Sequence, residues 1–142
     1  MKNDIDIDIT IPSHTRYLRM IGRIGEKVAE EIDCPEAIRE TLPGQLAIVL
    51  TEGLVNAIKH ANSAEPDKEV HVRINVSNKK LVVRIYDNGI GFDLDSVPTP
   101  CFTSSGIEEK GRGIFILRSL MDTVKYTRSD DGNVLEMKKN LA

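Results

Sequence analysis

Residues 70–91 read VHVRINVSNKKLVVRIYDNGIG, and the way that stretch divides decides the fold. Val70, Val72, Ile74 and Val76 alternate with polar residues, and Leu81, Val83 and Ile85 do the same beyond a polar turn at Ser77–Lys79. Two runs of period-two alternation across so short a turn predict a hairpin. A second closely linked pair, near Val124–Arg128 and Val134–Lys138, flanks the turn signal Asp130-Asp131-Gly132-Asn133. Hairpins are antiparallel, because parallel neighbours need a crossover of about a dozen residues or more.

Toward the N-terminus, Ile5, Ile7, Ile9 and Ile11 alternate with Asp4, Asp6, Asp8 and Thr10. That pattern predicts a strand with one charged face, at a sheet edge. Pro12 ends it, and Ser13 is expected to cap a helix running through about Asp33, with Leu18, Ile21, Ile24, Val28 and Ile32 at helical spacing. Pro35 and Pro43 bracket a short segment, and Gly44 precedes a second helix, roughly Gln45 to Ala61. A third helix is expected from about Gly113 to Asp122. The fold class that follows is α+β: a two-layer sandwich, its sheet mixed but mostly antiparallel and covered on one face by helices, rather than a doubly wound fold.

At 142 residues the chain makes one domain, 1–142, and buries roughly two-thirds of its unfolded surface without needing a disulfide or metal. A net charge of -3 argues against non-specific nucleic-acid or anionic-membrane binding, both of which need a positive field. Aromatic residues at 4%, with no Trp, disfavour a base-stacking platform. No stretch reaches the roughly 18 uninterrupted apolar residues of a membrane span, and no basic-then-apolar leader opens the chain, so a cytoplasmic location is expected. Cys34 and Cys101 are too few and too far apart for a metal or disulfide framework and read as two reduced thiols.

Three constellations carry chemistry. On the second helix, Glu52, Asn56 and Lys59 project within an arc of roughly 60° at helical spacing, while Leu46, Leu50, Leu54, Ile58 and Ala61 face the sheet. A carboxylate and a carboxamide one turn apart can turn oxygen toward one ligand or a Mg²⁺ ion; the same spacing also suits a solvated face. Asp87-Asn88-Gly89-Ile90-Gly91 follows a strand directly. Asn-Gly signals a tight hairpin, but Phe92 to Pro100 supplies no alternating second strand, so a pocket at the strand end stands beside it, with Gly89 and Gly91 admitting a flat ligand. Gly111-Arg112-Gly113 opens an apolar helix, where free N–H groups and the dipole suit a phosphate, or where a loop simply joins. The Gly106 to Gly113 stretch fails as a Walker A loop and as a dinucleotide fingerprint.

In this order and spacing the motifs closely resemble the ATP-binding domain shared by histidine kinases, gyrase, a heat-shock chaperone family and mismatch-repair ATPases, from about Leu46 to Met137. Within that superfamily the chain resembles the bacterial anti-sigma-factor serine/threonine kinases of partner-switching systems. The runs Thr51-Glu52-Gly53-Leu54-Val55-Asn56-Ala57 and Gly111-Arg112-Gly113-Ile114-Phe115-Ile116-Leu117 carry that likeness, together with the strand-plus-helix opening.

The resemblance implies ATP and Mg²⁺ as ligands, with Asn56 holding the metal, Glu52 as general base and Lys59 near the phosphates. It implies that Asp87 accepts from the adenine amino group above Gly89 and Gly91. Residues 93–110 would form a lid hinged at Gly111 and Gly113, and its positive group would be Lys110, Arg112 or absent. It further implies a homodimer, a bound sigma factor and a small antagonist phosphorylated on serine or threonine, with residues 1–33 making partner contacts through a basic face of Arg16, Arg19 and Arg23. Two departures stand out: Glu109-Lys110 replaces the usual arginine-serine pair, and Asn133 replaces a threonine near the adenine-binding aspartate. Two alternatives remain: an ATP-binding regulator that transfers no phosphate, which the retained Glu52 disfavours and the Glu109-Lys110 departure favours, and a detached histidine-kinase-type catalytic domain. The second would act on a histidine in a dimerisation hairpin, which the surroundings of His14, His60 and His71 do not provide.

Overall fold

A computed structural model describes residues 4–61, 67–88, 109–130 and 132–142. In chain order the elements are β1 (Ile5–Pro12), a 3₁₀ turn (Thr15–Tyr17), α1 (Leu18–Glu30), α2 (Glu36–Arg39) and α3 (Leu42–Val55). They continue with a π-helical turn (Asn56–Ala61), β2 (Glu69–Ser77), β3 (Lys80–Asp87), α4 (Glu109–Leu120), β4 (Thr123–Ser129) and β5 (Gly132–Asn140). The strands form one sheet in the order β1-β2-β3-β5-β4, and every neighbouring pair is antiparallel. The expected α+β sandwich is therefore what forms, with β1 at an edge.

The β2–β3 turn shows why the hairpin closes where it does. Ser77 pairs with Lys80, leaving Asn78 and Lys79 as the loop, and both have positive φ, 51° and 60°. Two left-handed residues match the right-handed twist of the strands they join.

One face of the sheet is dry. Val70, Val72, Ile74, Leu81, Val83, Ile85, Leu135 and Met137 are all buried beneath α3 and its neighbours. The other face is wet and laced with cross-strand ion pairs. Arg73 bridges both carboxylate oxygens of Asp6 at 3.1 and 2.9 Å, His71 Nε2 lies 2.7 Å from Asp8, and Arg84 Nε donates to Glu136 at 2.8 Å. The β1 aspartates thus fasten the edge strand from the solvent side, while on the helical side Ile5, Ile7 and Ile9 are half-buried and Ile11 is buried.

Three helix boundaries differ from expectation. Ser13 does not cap the first helix: it is buried and its N–H donates to the Lys68 carbonyl at 2.7 Å, and His14 Nδ1 accepts from Arg16 N at 2.9 Å as the cap of the 3₁₀ turn. α3 starts at Leu42 and so absorbs Pro43 into its first turn, where a missing N–H costs nothing. α4 starts at Glu109, four residues before Gly113, so Gly111 and Gly113 lie inside it. No helix among the described residues is long and apolar enough to cross a membrane.

Candidate functional site

α3 lies on the sheet through Gly53, which sits against Ile85, Leu135 and Met137. Its buried side is apolar, with Leu46, Val49, Leu50 and Leu54 nearly inaccessible, and Ala57 and Ile58 of the π-helical turn continue it. Asn56 breaks that pattern: it is 2% exposed, and its Nδ2 donates to the Glu52 carbonyl at 3.0 Å. The carboxamide is thereby held in one orientation, one turn beyond a half-buried Glu52.

The second turn of α4 meets those two side chains. A Cβ placed on Gly113 would come 3.0 Å from Glu52 Oε2 and 3.6 Å from Asn56 Nδ2. Only a residue without a side chain lets the α4 backbone stand so near the acid without displacing it. Glu-x-x-x-Asn and Gly-x-Gly, 55 positions apart when counted from Asn56 to Gly111, are therefore brought together.

The expectation that the two glycines precede the helix needs correcting. The N–H groups of Glu109 to Arg112 are the four without an intrahelical acceptor, so the positive end of α4 begins with Glu109, and Gly113 is already in the helix. Arg112 is exposed. The backbones of Lys110 and Gly111 belong to this first turn; their side-chain surroundings lie outside the described residues.

Lys59 also departs from expectation. It stands in the π-helical turn, where each turn holds more residues than in an α-helix, so it leaves the narrow arc shared by Glu52 and Asn56 and is exposed. That turn packs against β3.

At the end of β3, Asp87 continues the buried row of Leu81, Val83 and Ile85, at 3% exposure. Opposite it in register is Asn133, at 4%, whose Nδ2 donates to Asp87 Oδ1 at 2.8 Å. A carboxylate this deep is costly to bury unless a donor meets it. The preceding Gly132 has φ of +133°, and a Cβ there would come 2.9 Å from Asn88 Oδ1 and 3.1 Å from the Asp87 carbonyl, so the strands close together on a glycine. Beside this strand end a cavity of about 300 Å³ opens, with Tyr86, Thr127, Ser129 and Val134 in its walls.

Four polar or charged residues among the described ones are buried: Ser13, Asn56, Asp87 and Asn133. Three of them are residues that the motifs single out. The expected base-floor glycines, Gly89 and Gly91, lie outside the described residues, as does the expected lid up to residue 108. Two features escaped the sequence. The π-turn leaves no mark in a pattern read at helical period, and the direct Asn133–Asp87 bond depends on the non-local register of β3 with β5.

Residues 11–139 match the model of the Histidine kinase-like ATPase domain. Among relatives, the serine-protein kinase RsbW of Bacillus velezensis is 30% identical over 99% of this chain and 89% of its own length, and that of Bacillus subtilis is 29% identical over the same shares. The anti-sigma F factor of Clostridium perfringens is 28% identical over 65% of this chain and 68% of its own. A blue-light activated histidine kinase of Erythrobacter litoralis has the same fold, with a TM-score of 0.56 at 22% identity, covering 92% of this chain and 42% of that one. The chain therefore belongs to the histidine kinase-like ATPase family, as a serine/threonine protein kinase of the RsbW group.

Proposed function

We propose that this kinase moves the γ-phosphoryl group of ATP to a serine or threonine of a small antagonist protein, and that it sequesters a sigma factor as an anti-sigma factor. The observation that carries the reading is the burial of Asn56, Asp87 and Asn133, polar groups kept at 2–4% exposure, with Asn56 beside Gly113 of α4. A folded domain keeps such groups where a ligand uses them, because each one costs stability unless satisfied.

Each residue then has a task. Asp87 accepts from the adenine amino group; guanine carries a carbonyl there and leaves two acceptors facing each other. Glu52 takes the proton from the attacking hydroxyl, and Gly113, having no side chain, leaves room for that carboxylate beside α4. The first N–H groups of α4, with Arg112 and Lys110, receive the phosphates, and Lys59 adds charge from the π-turn. Mg²⁺ fits the donors present: Asn56 Nδ2 is committed to the Glu52 carbonyl, which leaves its Oδ1 as the hard oxygen for a cation that otherwise takes phosphate oxygens and water. When bound, that ion would neutralise phosphate charge.

In this reading residues 1–33 contact partners, and residues 93–110 close over the phosphates. On α1, Met20 is 46% exposed and, with Ile24, floors a cavity of about 520 Å³ rimmed by Arg19, Arg23 and Lys27. An apolar floor within a cationic rim suits an acidic amphipathic segment of the sigma factor. Arg16 stands apart, its guanidinium over the Tyr17 ring in the 3₁₀ turn. A homodimer in the cytoplasm completes the proposal.

The test uses labelled ATP and the protein that co-purifies with the kinase from its own cells. Label is expected on a serine or threonine of a small partner. Glu52→Ala is expected to keep ATP affinity within about threefold and to lose transfer by a factor of about 100 or more, the scale of general-base catalysis. Bound ATP with no transfer by the wild type would point instead to a regulator without kinase activity, and normal transfer by Glu52→Ala would remove the base from that position.

A further inference from the structure

We propose that His14 is a proton-operated cap: the neutral imidazole closes the start of the helix that carries Arg19, Met20 and Arg23, and a proton on Nδ1 opens it. The effect on a partner rests on the reading that this helix contacts the sigma factor; the cap itself does not.

The 3₁₀ turn Thr15–Tyr17 runs directly into α1 at Leu18, so the two share one helical start. Such a start leaves N–H groups without acceptors, and Ser, Thr, Asp or Asn usually supplies one. Tyr17, at the entry to α1, makes no side-chain bond of that kind, and neither first turn holds an acid. The side-chain acceptor is instead the exposed His14, whose Nδ1 lies 2.9 Å from Arg16 N. An imidazole nitrogen accepts only while it carries no proton, so this cap requires the neutral ring with its hydrogen on Nε2.

Protonation then acts twice, in the same direction. Nδ1 becomes a donor facing a donor, and the Arg16 N–H loses its acceptor. A third cation also joins Arg16 and Arg19 at the positive end of a helix dipole. The neighbours do not compensate. The imidazole centre is 6.5 Å from that of Tyr17, outside the roughly 6 Å reach of a cation over a ring, and the Arg16 guanidinium lies over that ring at 5.6 Å. From the sheet, Ser13 N–H bonds the Lys68 carbonyl and Pro12 stands opposite Glu69, which makes Lys68 and Glu69 the charged neighbours on that side. Neither is ion-paired to His14. His71 is the contrasting case: it faces the Asp8 carboxylate at 2.7 Å, so a proton there strengthens a contact, whereas at His14 it breaks one.

The experiment follows the full chain by NMR at about pH 8 and about pH 5, the interval in which a histidine ordinarily takes its proton. The readout is protection of the Arg16 amide from hydrogen exchange, taken relative to the unfolded chain at the same pH. Wild type is expected to lose protection by about fivefold on acidification, the scale of one capping bond. His14→Asn keeps an acceptor that does not titrate, and its protection is expected to change by less than about twofold. His14→Ala is expected to match acidified wild type at both pH values. His71 is present in all three proteins, so its own titration cancels. Affinity for the sigma factor that co-purifies with the kinase is expected to fall by about fivefold over the same interval in wild type and to stay level in His14→Asn.

Arg16 protection that persists while the His14 ring titrates, or that falls as far in His14→Asn, would overturn the cap. A cap that opens while sigma-factor affinity stays level would overturn the reading of this helix as the sigma-factor surface.

Discussion

Asp87 is charged, 3% exposed and at the end of an otherwise apolar row, a combination that a strand tolerates only where the charge is met. Asn133 meets part of it at 2.8 Å. In the proposed complex the adenine amino group would add a charge-assisted hydrogen bond of about 1.5–3 kcal/mol. Asp87→Asn is accordingly expected to weaken ATP binding by about 10- to 150-fold in calorimetry; unchanged affinity would remove the adenine-reading role. This residue was legible in the sequence because Asp-Asn-Gly-Ile-Gly follows a strand with no strand after it. Its neighbour in space was placed only through the resemblance, since the pairing of β3 with β5 joins residues 46 positions apart and leaves no local pattern.

Among the elements, strands were the easier to read because their period of two is local and uninterrupted. All five strands among the described residues were anticipated, and the turn at Ser77–Lys79 sits where the alternation pauses. Helix limits were harder. Glu109 and Lys110 are good helix formers, and their propensity extends α4 past two glycines that read as its beginning. The hairpin turn gives a direct measurement at this scale. Lys79 holds φ of 60°, a conformation that costs an L-residue about 1–2 kcal/mol, whereas glycine adopts it freely at some cost in chain entropy. Lys79→Gly is expected to stabilise the protein by about 0.5–1 kcal/mol, seen as a rise of about 2 °C in the unfolding midpoint. A lowered midpoint would show that the lysine side chain contributes more than its backbone costs.

Over the whole molecule, the sheet separates a dry helical face from a wet face held by ion pairs, and pH acts on the second. Burial pushes the Glu136 carboxyl up, but the Arg84 hydrogen bond with the charges of Lys138 and Arg84 outweighs it and leaves the group below its ordinary 4.5. Asp6 is likewise lowered from 3.8, chiefly by its hydrogen bond to Arg73, at the exposed edge. A carboxyl whose folded value is depressed contributes stability that is present above its unfolded value and lost as pH falls through the folded one. The Glu136 contribution is thus complete at neutral pH and is lost as pH falls through its lowered folded value. Glu136→Gln is expected to cost about 1 kcal/mol at pH 7 and progressively less as the carboxyl protonates, so that unfolding curves of variant and wild type converge in acid. Curves that stay parallel across that range would show that the pair contributes no net charge energy.

Helix α3 belongs to two neighbourhoods at once. Thr51 lines the cleft that α3 forms with α1 beside Gly22 and Arg19, while the next residue, Glu52, stands against α4. A stiff rod with adjacent residues in both places would carry a tilt at the Glu52 flank to the α1–α3 cleft, a coupling that experiment has to demonstrate. Pinning α1 to α3 with an engineered cysteine pair should then make sigma-factor affinity indifferent to whether ATP is present, and a grip that still responds to nucleotide would show that the message travels by another route.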